Sequence, residues 1–584
     1  MSQKKIKKLR AVIDSNGQKV GEYRQAETLL MGKSLGVILK ENNKFLIGLA
    51  LGLLALFVNS LNGDFVSDDY ATIPHNPLIA NLGVGFKGLS STNILKSMVA
   101  FVFGVKPFQY HLVSTIFYII ICVLAFVAIY KIYQDRWLAI MTVLIFSVHP
   151  LHVEAVSWIS GVPYLFIAFY SLIILLLTIK FFETGRWQLL IGAAGLFLLA
   201  YLNDFPRIFA IFPLVIIYLM FRGNKKILSR IWQITPYLVI VFIVALAFGW
   251  HHIVGRINVV NTGYNLSDSI YYDPFFQYPT GLAKYLQLFW APFDLTLYHT
   301  MYVLPVWLNW SILLNYLAMT VYFYFKDKRL FFALAFVIVT ILPSMAPVKV
   351  SWLVAERYAF LPSLGFCVFL AIILKEMWRK AKIVPPTLLV SLMIFFMVRA
   401  YLRNDDWATN HKLWVNTCQV SPNSHNAWNN IGDDYDKLAT LEKDNNGKMM
   451  QYANAIKGFT QSTVIKPNYA DAYHNRANIF FKVGRLDLAR ESYGIALNFS
   501  PGLYQTYLSL IQIDLMEGNF ALAEEHSKKL LTIQPNNTQA WYAHGLVMAQ
   551  TGKRSEAVDA LKKSLVLDPA NKMAAELLGQ VEKN

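Results

Sequence analysis

The sequence predicts an all-α protein in two parts, a polytopic helical membrane domain followed by a helical solenoid. Three observations lead there. Apolar runs recur at 45–61, 110–130, 137–148, 163–182, 188–202, 208–221, 235–250, 304–325, 330–343, 358–374 and 385–400. Hydrophobic residues make up 55% of the 584-residue chain, more than a soluble protein carries. Beyond residue 402 the composition turns polar, and Pro467, Pro501, Pro535 and Pro569 follow one another at intervals of 34 residues.

Several of the apolar runs fall short of the roughly 20 residues that cross about 30 Å of hydrocarbon, so their ends are extended into flanking aromatics. The expectation is about 11 transmembrane helices. A net charge of +17 is strongly basic, yet Lys and Arg stand in short clusters between apolar runs and form no single polar face. That placement is topological and implies no nucleic-acid partner. The segment 1–44 has ten Lys or Arg against four acids. Alternate later loops carry Lys131 and Arg136, then Arg222, Lys225, Lys226 and Arg230, then Lys326, Lys328 and Arg329, then Lys375, Arg379, Lys380 and Lys382. These read as cytoplasmic loops. The remaining loops, and everything after about 402, then face the periplasm of a bacterial inner membrane or the lumen of the endoplasmic reticulum. The N-terminus has no apolar region near its start, so no cleaved signal peptide is expected. Cys122, Cys367 and Cys418 offer neither a disulfide framework nor a CxxC metal site.

Two outer segments are long. In 62–109 the stretch FKGLSSTNILKSMVAFVFG mixes Lys87 and Lys96 with apolar residues and reads as a helix lying along the interface. In 251–303 the aromatics of SIYYDPFFQYP suit an interface or a lipid-lined groove.

The 34-residue proline interval is the tetratricopeptide period. Other positions repeat with it: Trp428, Tyr473, Tyr507 and Trp541, then Gly432, Ala477, Ile511 and Gly545, then Ala455, Ala489, Ala523 and Ala557. Small residues there let paired helices approach closely, and each proline ends a helix by removing a donor. Pro422 precedes Pro467 by 45 residues, and the surplus is placed in a polar excursion around KLATLEKDNNGKMM. The predicted organisation is a basic cytoplasmic segment 1–44, a transmembrane domain 45–402, a linker 403–421 and a tetratricopeptide-repeat domain 422–584 of four repeats and a closing helix.

Chemistry is expected where the first apolar run ends, in GDFVSDDYATIPHNP. Adjacent carboxylates, Asp68 and Asp69, are costly at the mouth of a span unless water, a partner or a reaction uses them. Their bland alternative is to cap the helix that follows. Further ionisable groups fall on the same face: His149, His152 and Glu154 in HPLHVEAVSWISG, Asp204 and Arg207 in NDFPR, Tyr298 and His299, and Glu356 and Arg357 in AERYAFLPSLG. Spacing of the two histidines with a nearby Glu suits a metal pair, but no third ligand is evident, and metal is not expected. Groups gathered at one face argue against a transporter, whose sites lie at mid-membrane.

The strings SDDY, PFQYHLV with His111, HPLHVEAVSWISG, AERYAFLPSLG and the junction LW…SPNSHNAWNNIG, in this order before the repeats, resemble the transmembrane and tetratricopeptide-repeat O-mannosyltransferases and their prokaryotic relatives, members of the GT-C glycosyltransferases. The resemblance covers the chain from about 45 onward and implies that 45–402 is a GT-C-like domain. It implies transfer of a sugar from a polyprenyl phosphate to an acceptor on the outer face, typically a protein Ser or Thr hydroxyl, with a catalytic acid in the first outer loop, here Asp68 or Asp69. A carboxylate within reach takes the hydroxyl proton as the oxygen attacks the anomeric carbon. The departing phosphate needs fixed donors, a role that suits Arg357, His149, His152 and Arg207, with Glu154, Glu356, Tyr298, His299 and His111 in support. Attack opposite the phosphate inverts the anomeric centre. No cofactor beyond the lipid donor is required.

Three basic positions of the family pattern are absent. ISGVPYLF stands where relatives commonly have ISGRADLL, so Val162 replaces an arginine; Asp204 and Phe205 replace a Ser-Lys pair before Pro206; and an Arg-Pro-Leu element is missing from the first outer loop. Arg207, Lys96 and Lys106 are the cations available in their place. The rival reading is an inactive membrane scaffold that recruits partners through its repeats. In either case the expected use of the repeats is a groove for an extended peptide or partner.

Overall fold

The computed structural model describes residues 33–87, 90–203, 206–222, 273–345 and 352–583, with isolated positions at 235, 239, 243 and 254. Among the described residues every regular element is an α- or 3-10 helix. The chain divides into two compact units, Met1–Leu413 and Trp414–Asn584.

In the first unit each described apolar run has become a helix: Asn43–Leu56, Pro107–Tyr133, Arg136–Ser147, Val162–Thr184, Gln188–Leu202, Ile211–Arg222, Val306–Lys326, Lys328–Ile341, Pro362–Lys380 and Val384–Asp406. The run at 235–250, most of the aromatic segment 251–272, and Asp204, Lys225, Lys226 and Arg230 lie outside the described residues. The local signals are legible. Pro107 opens its helix at the first turn, where a missing N–H does no harm. Asp135 caps the next helix by accepting from the Leu138 N–H at 3.0 Å. Gly185, at φ +71, ends Val162–Thr184.

The expectation of about 11 spans is met in part among the described residues. Among the described residues five helical stretches are long and apolar enough to cross a membrane: Pro107–Tyr133, Ile159–Thr184, Val306–Lys326, Lys328–Met345 and Val384–Asp406. A sixth arises if Arg136–Ser147 and Pro150–Ser157, bent by 60°, form one span. The bend falls at Pro150, which removes a donor and holds His149 extended. Other runs fold into short helices. Gln188–Leu202 has 15 residues, a rise of only about 22 Å.

Burial separates these helices into two kinds. Most of the Lys328–Met345 stretch is buried, whereas most of Val306–Lys326 and Val384–Asp406 is not. The latter two turn Trp307, Leu314, Phe325, Val390 and Ile394 outward. An apolar face of that length is covered by lipid, and the chain is read as an integral membrane protein. The predicted basic loops meet one another. Lys131 pairs with Glu183 at 3.2 Å, Lys375 pairs with Asp135, and Arg329 pairs with Glu376 at 2.9 Å. Helix Val162–Thr184 thus runs from beside Ser160 to the Glu183 end.

The second unit consists of the helix pairs His425–Leu441 with Asn445–Ile465, Ala470–Lys482 with Leu486–Phe499, Tyr504–Met516 with Phe520–Ile533 and Thr538–Gln550 with Arg554–Leu567, followed by Lys572–Lys583. The repeat prolines stand just past the second helix of each pair. Turn glycines Gly484, Gly518 and Gly552 have φ of +77, +73 and +75, a conformation glycine takes at no steric cost. The surplus of the first repeat is helical rather than a polar excursion. Leu441 and Asn445 are joined by a short turn, and Asp444 caps the second helix by accepting from the Gly447 N–H at 2.8 Å.

The first pair crosses most closely at Gly458. A Cβ there would lie 3.0 Å from the Gly432 nitrogen and 3.0 Å from the Trp428 carbonyl oxygen, backbone atoms that cannot rotate away. Gly458→Leu is expected to destabilise the repeat unit by about 1–3 kcal/mol, the range for overpacking. A lower thermal midpoint of the purified full-length chain, followed by circular dichroism, checks this.

Candidate functional site

The acidic turn follows helix Asn43–Leu56 and the 3-10 turn Val58–Asn62. Asp68 is exposed and precedes the short helix Asp69–Thr72, but its side chain makes no capping bond. Asp69 is fully buried. Its Oδ1 accepts from the Ser160 N–H at 2.7 Å and the Ser160 hydroxyl at 2.5 Å, and its Oδ2 accepts from the Val66 N–H at 3.2 Å. Lys96 is also buried; its Nζ donates to the Thr72 hydroxyl at 3.0 Å and the Ser160 hydroxyl at 3.4 Å. Burial pushes the Asp69 carboxyl up to about 6, against the opposing pull of Ser160, Lys96 and the Val66 amide. Burial in turn lowers the Lys96 ammonium, opposed by Asp69 and Asp68. Lys96 lies on helix Ser91–Phe103, which buries Thr92, Lys96 and Ala100 while exposing Phe101, Val102 and Phe103. Lys106 is exposed. His111 reaches the same loop, with Nε2 3.4 Å from the Asp64 carbonyl oxygen.

A second cluster combines cations and aromatic rings. Glu154, fully buried, accepts from the Arg357 N–H at 2.8 Å and pairs with its guanidinium. Arg357 Nε donates to the Tyr164 hydroxyl at 3.3 Å, and its guanidinium lies 5.4 Å from the Trp158 ring and 5.0 Å from the Tyr358 ring. Arg207 shares these rings, 4.1 Å from Tyr358 and 5.3 Å from Tyr164, and its Nε donates to Ser344 at 2.8 Å. Cations over such faces are attracted by the ring quadrupole. Among the described residues no carboxylate pairs with Arg207. The two clusters share one short segment, since Trp158 lies under Arg357 and Ser160 binds Asp69.

Glu356 is held by Arg403, through Nη2 at 2.9 Å and Nε at 3.2 Å, and His299 Nε2 lies 3.8 Å from it. Tyr298 stacks on Trp352 with centroids 4.1 Å apart. The remaining histidines are buried and engaged at both ring nitrogens. His149 contacts the Phe289 carbonyl oxygen at 3.2 Å and the Leu151 N–H at 3.3 Å. His152 contacts the Tyr118 hydroxyl at 2.7 Å and the Ser363 hydroxyl at 2.8 Å. The structure therefore brings Glu154, Arg207 and Arg357 together and sets the two histidines in packing beside them. Sequence reasoning missed Ser160, Tyr164, Tyr358, Arg403 and Asn410. Ser160 and Tyr358 stand inside motifs it quoted, and Arg403 was marked by being a basic residue at the end of an apolar run.

Fold and site together define a polytopic helical membrane protein with a tetratricopeptide unit and a buried polar centre. A family model described as a tetratricopeptide repeat matches residues 470–502. The chain is 23% identical to "Protein O-mannosyl-transferase TMTC3" from Mus musculus over 80% of its length and 55% of the relative's. The protein of the same name from Homo sapiens is 23% identical over 80% of this chain and 56% of its own length. A Caenorhabditis elegans relative, "Protein O-mannosyl-transferase F38B6.6", is 24% identical over 73% of this chain and 63% of its own length. The chain is similar to these proteins and spans about half the length of the TMTC3 relatives. Among solved structures, MamA aligns with 28% of this chain and 90% of its own at 20% identity and a TM-score of 0.25, too slight a likeness to bear on function.

Because Glu154 is wholly buried, removing its partner leaves an uncompensated charge. Arg357→Ala is expected to destabilise the membrane unit by about 3–5 kcal/mol. Arg357→Ala combined with Glu154→Leu should recover part of that loss. Thermal midpoints of the purified proteins make the comparison.

Proposed function

We propose that this chain is a membrane glycosyltransferase that moves a sugar from a polyprenyl-phosphate donor to a hydroxyl, that of a protein Ser or Thr, on the non-cytoplasmic face. The name shared by its relatives supports mannose as the sugar. The observation that carries this reading is the buried, hydrogen-bonded Asp69, whose proton affinity is raised towards neutrality. A base works best when its pKa lies near the operating pH. The Ser160 hydroxyl, 2.5 Å from Oδ1, occupies the position an acceptor hydroxyl would take. In this reading the Ser160 side chain rotates away as the acceptor hydroxyl takes its place.

In the proposed reaction Asp69 takes the acceptor proton, the freed oxygen bonds to the anomeric carbon, and the bond from that carbon to the phosphate oxygen breaks with inversion. The lipid phosphate leaves with added negative charge. Arg207 suits that charge, since no described carboxylate neutralises it and its guanidinium lies over the Tyr358 ring, 4.1 Å from the ring centre. Arg357, balanced by Glu154, fixes the aromatic wall that Arg207 shares. His149 and His152 hold the segment bearing Glu154. The lipid donor is the one co-substrate required. The repeat unit holds the acceptor protein in the same periplasmic or lumenal compartment, the N-terminus being cytoplasmic.

Exposure favours Asp68 as the rival base, and the pairing of Arg357 with Glu154 favours the inactive scaffold. One assay separates the three: transfer of radiolabelled mannose from polyprenyl phosphate to membrane protein, with Asp69→Asn, Asp68→Asn and Arg207→Ala at matched expression. Asp69→Asn should abolish transfer, and Arg207→Ala should lower it about 100-fold. Loss with Asp68→Asn alone moves the base to Asp68, and no transfer by the unaltered chain from any polyprenyl-phosphate sugar identifies a scaffold.

The reaction needs Asp69 ionised, so transfer should rise with pH through about 6 and level off above it. Lys96 favours the ionised carboxylate; Lys96→Met therefore raises the Asp69 pKa and moves the acid limb of the rate profile to higher pH.

A further inference from the structure

The turn that carries the two aspartates is strained, and a residue far along the chain holds it. Val66 O accepts from the Asp69 N–H at 3.1 Å, and the Val66 N–H donates to Asp69 Oδ2 at 3.2 Å. Ser67 and Asp68 are the two central residues of the turn so closed. Ser67 has φ 53, in the left-handed region that a side chain disfavours and glycine does not. Positive φ at the first central position belongs to turns that usually place glycine there. Among the described residues Gln134 is the other non-glycine with positive φ, and it sits at a helix C-terminus, where that conformation is ordinary. Ser67 stands at no helix C-terminus that would account for it.

A long-range contact does account for it. The Ser67 N–H donates to Asn410 Oδ1 at 2.7 Å, across 343 positions of sequence. Two residues before Asn410, the Ala408 carbonyl oxygen accepts from the Asp64 N–H at 2.9 Å. The loop before the aspartates is thus clamped at two points by the segment 408–410. Asn410 begins helix Asn410–Val420, so its backbone is fixed. If the Ser67 peptide relaxed to an ordinary extended conformation, its N–H would leave Asn410 and the direction of Asp68 and Asp69 would change with it. Backbone strain held by its surroundings next to reactive groups is a recognised means of preorganisation.

We propose that Asn410 is a positioning residue, which holds Ser67 in the left-handed conformation and thereby aims the Asp69 carboxylate at the Ser160 position where the acceptor hydroxyl binds. The inference rests on the transferase reading for its effect on rate, but its geometric content stands apart from it. Asn410 touches no reacting atom and acts through the turn alone.

The test uses the full-length chain with Asn410→Ala, Ser67→Gly and the two combined. Transfer of radiolabelled mannose from polyprenyl phosphate is measured as kcat and KM, and deuterium exchange is followed over residues 64–70. Asn410→Ala should lower kcat about tenfold or more with little change in donor KM, since a misaimed base slows the chemical step. Exchange over 64–70 should quicken. In the Ser67→Gly background the same change should lower kcat by no more than about twofold, a non-additivity that marks coupling through this residue. Glycine keeps the left-handed conformation without the clamp. Equal losses with serine and with glycine at 67 would overturn the proposal, as would unaltered exchange in Asn410→Ala. If neither aspartate is needed for transfer, the base reading fails while the exchange comparison still decides whether Asn410 holds the turn.

Discussion

A carboxylate removed from water must find donors, and three of them set the architecture at one end of the membrane unit. Asp69, Glu154 and Glu356 are each fully buried. Their partners come from other parts of the chain: Ser160 for Asp69, Arg357 for Glu154 and Arg403 for Glu356. Leaving any of the three unpaired costs several kcal/mol, and burial of a paired charge is at best neutral compared with apolar packing. Apolar contact would have closed this end of the bundle without them. What the pairs add is registry, because Glu154–Arg357 and Glu356–Arg403 chain together segments around 154, 356 and 403 in an arrangement that sliding helices cannot keep. Ser157 and Asn404 extend the chain, bonding to each other at 2.7 Å, while Asn404 also donates to the Leu56 carbonyl oxygen at 3.3 Å.

The three carboxylates are not equivalent. Glu154 and Glu356 each have an arginine guanidinium in direct contact, Arg357 and Arg403. Asp69 has hydroxyl and amide donors, and its nearest cation, Lys96, reaches it across the Thr72 and Ser160 hydroxyls. Donors without a contacting charge hold a carboxylate in place but compensate its desolvation incompletely, and its proton affinity rises. Burial raises the Glu356 carboxyl as well, to about 8, against the pull of Arg403, so what sets Asp69 apart is the absence of a cation in direct contact with it.

Much of the fold was legible because repetition and periodicity are local properties. Pro467, Pro501, Pro535 and Pro569 and the alanines of the second helices mark each repeat independently of the others. The apolar runs were legible as helices for the same reason, yet not as spans: Gln188–Leu202 is as apolar as its longer neighbours and simply stops. The surplus around KLATLEKDNNGKMM looked like a loop because it is polar, but polar residues on the outer face of a solenoid are compatible with helix. In the site, the adjacent pair Asp68 and Asp69 stood out, whereas which of them is buried depends on Ser160, 91 residues away. His149 and His152 drew attention by residue type, and their environment of Phe289, Tyr118 and Ser363 is tertiary information. Asn410 carried no signal at all, since an asparagine at the start of a helix is ordinary until its bond to Ser67 is seen.

The relocated cations bear on the proposed chemistry. The family resemblance leads one to expect an arginine at 162, and Val162 is instead buried on the first turn of its helix. Two residues later Tyr164 faces both Arg207 and Arg357. A guanidinium on Tyr164 and Tyr358 can therefore arrive from the 3-10 turn Pro206–Ala210 rather than from helix Val162–Thr184. An arginine stacked on a ring keeps its donors in a fixed plane, so its direction survives the change of parent segment. What changes is the point of attachment. A cation on a helix inherits the rigidity of the bundle, whereas Arg207 depends on Ser344 and the two rings to hold it. In the proposed reaction either arrangement offers the departing phosphate a fixed cation, and the difference would fall on how closely donor binding is tied to the packing of Tyr164 and Tyr358.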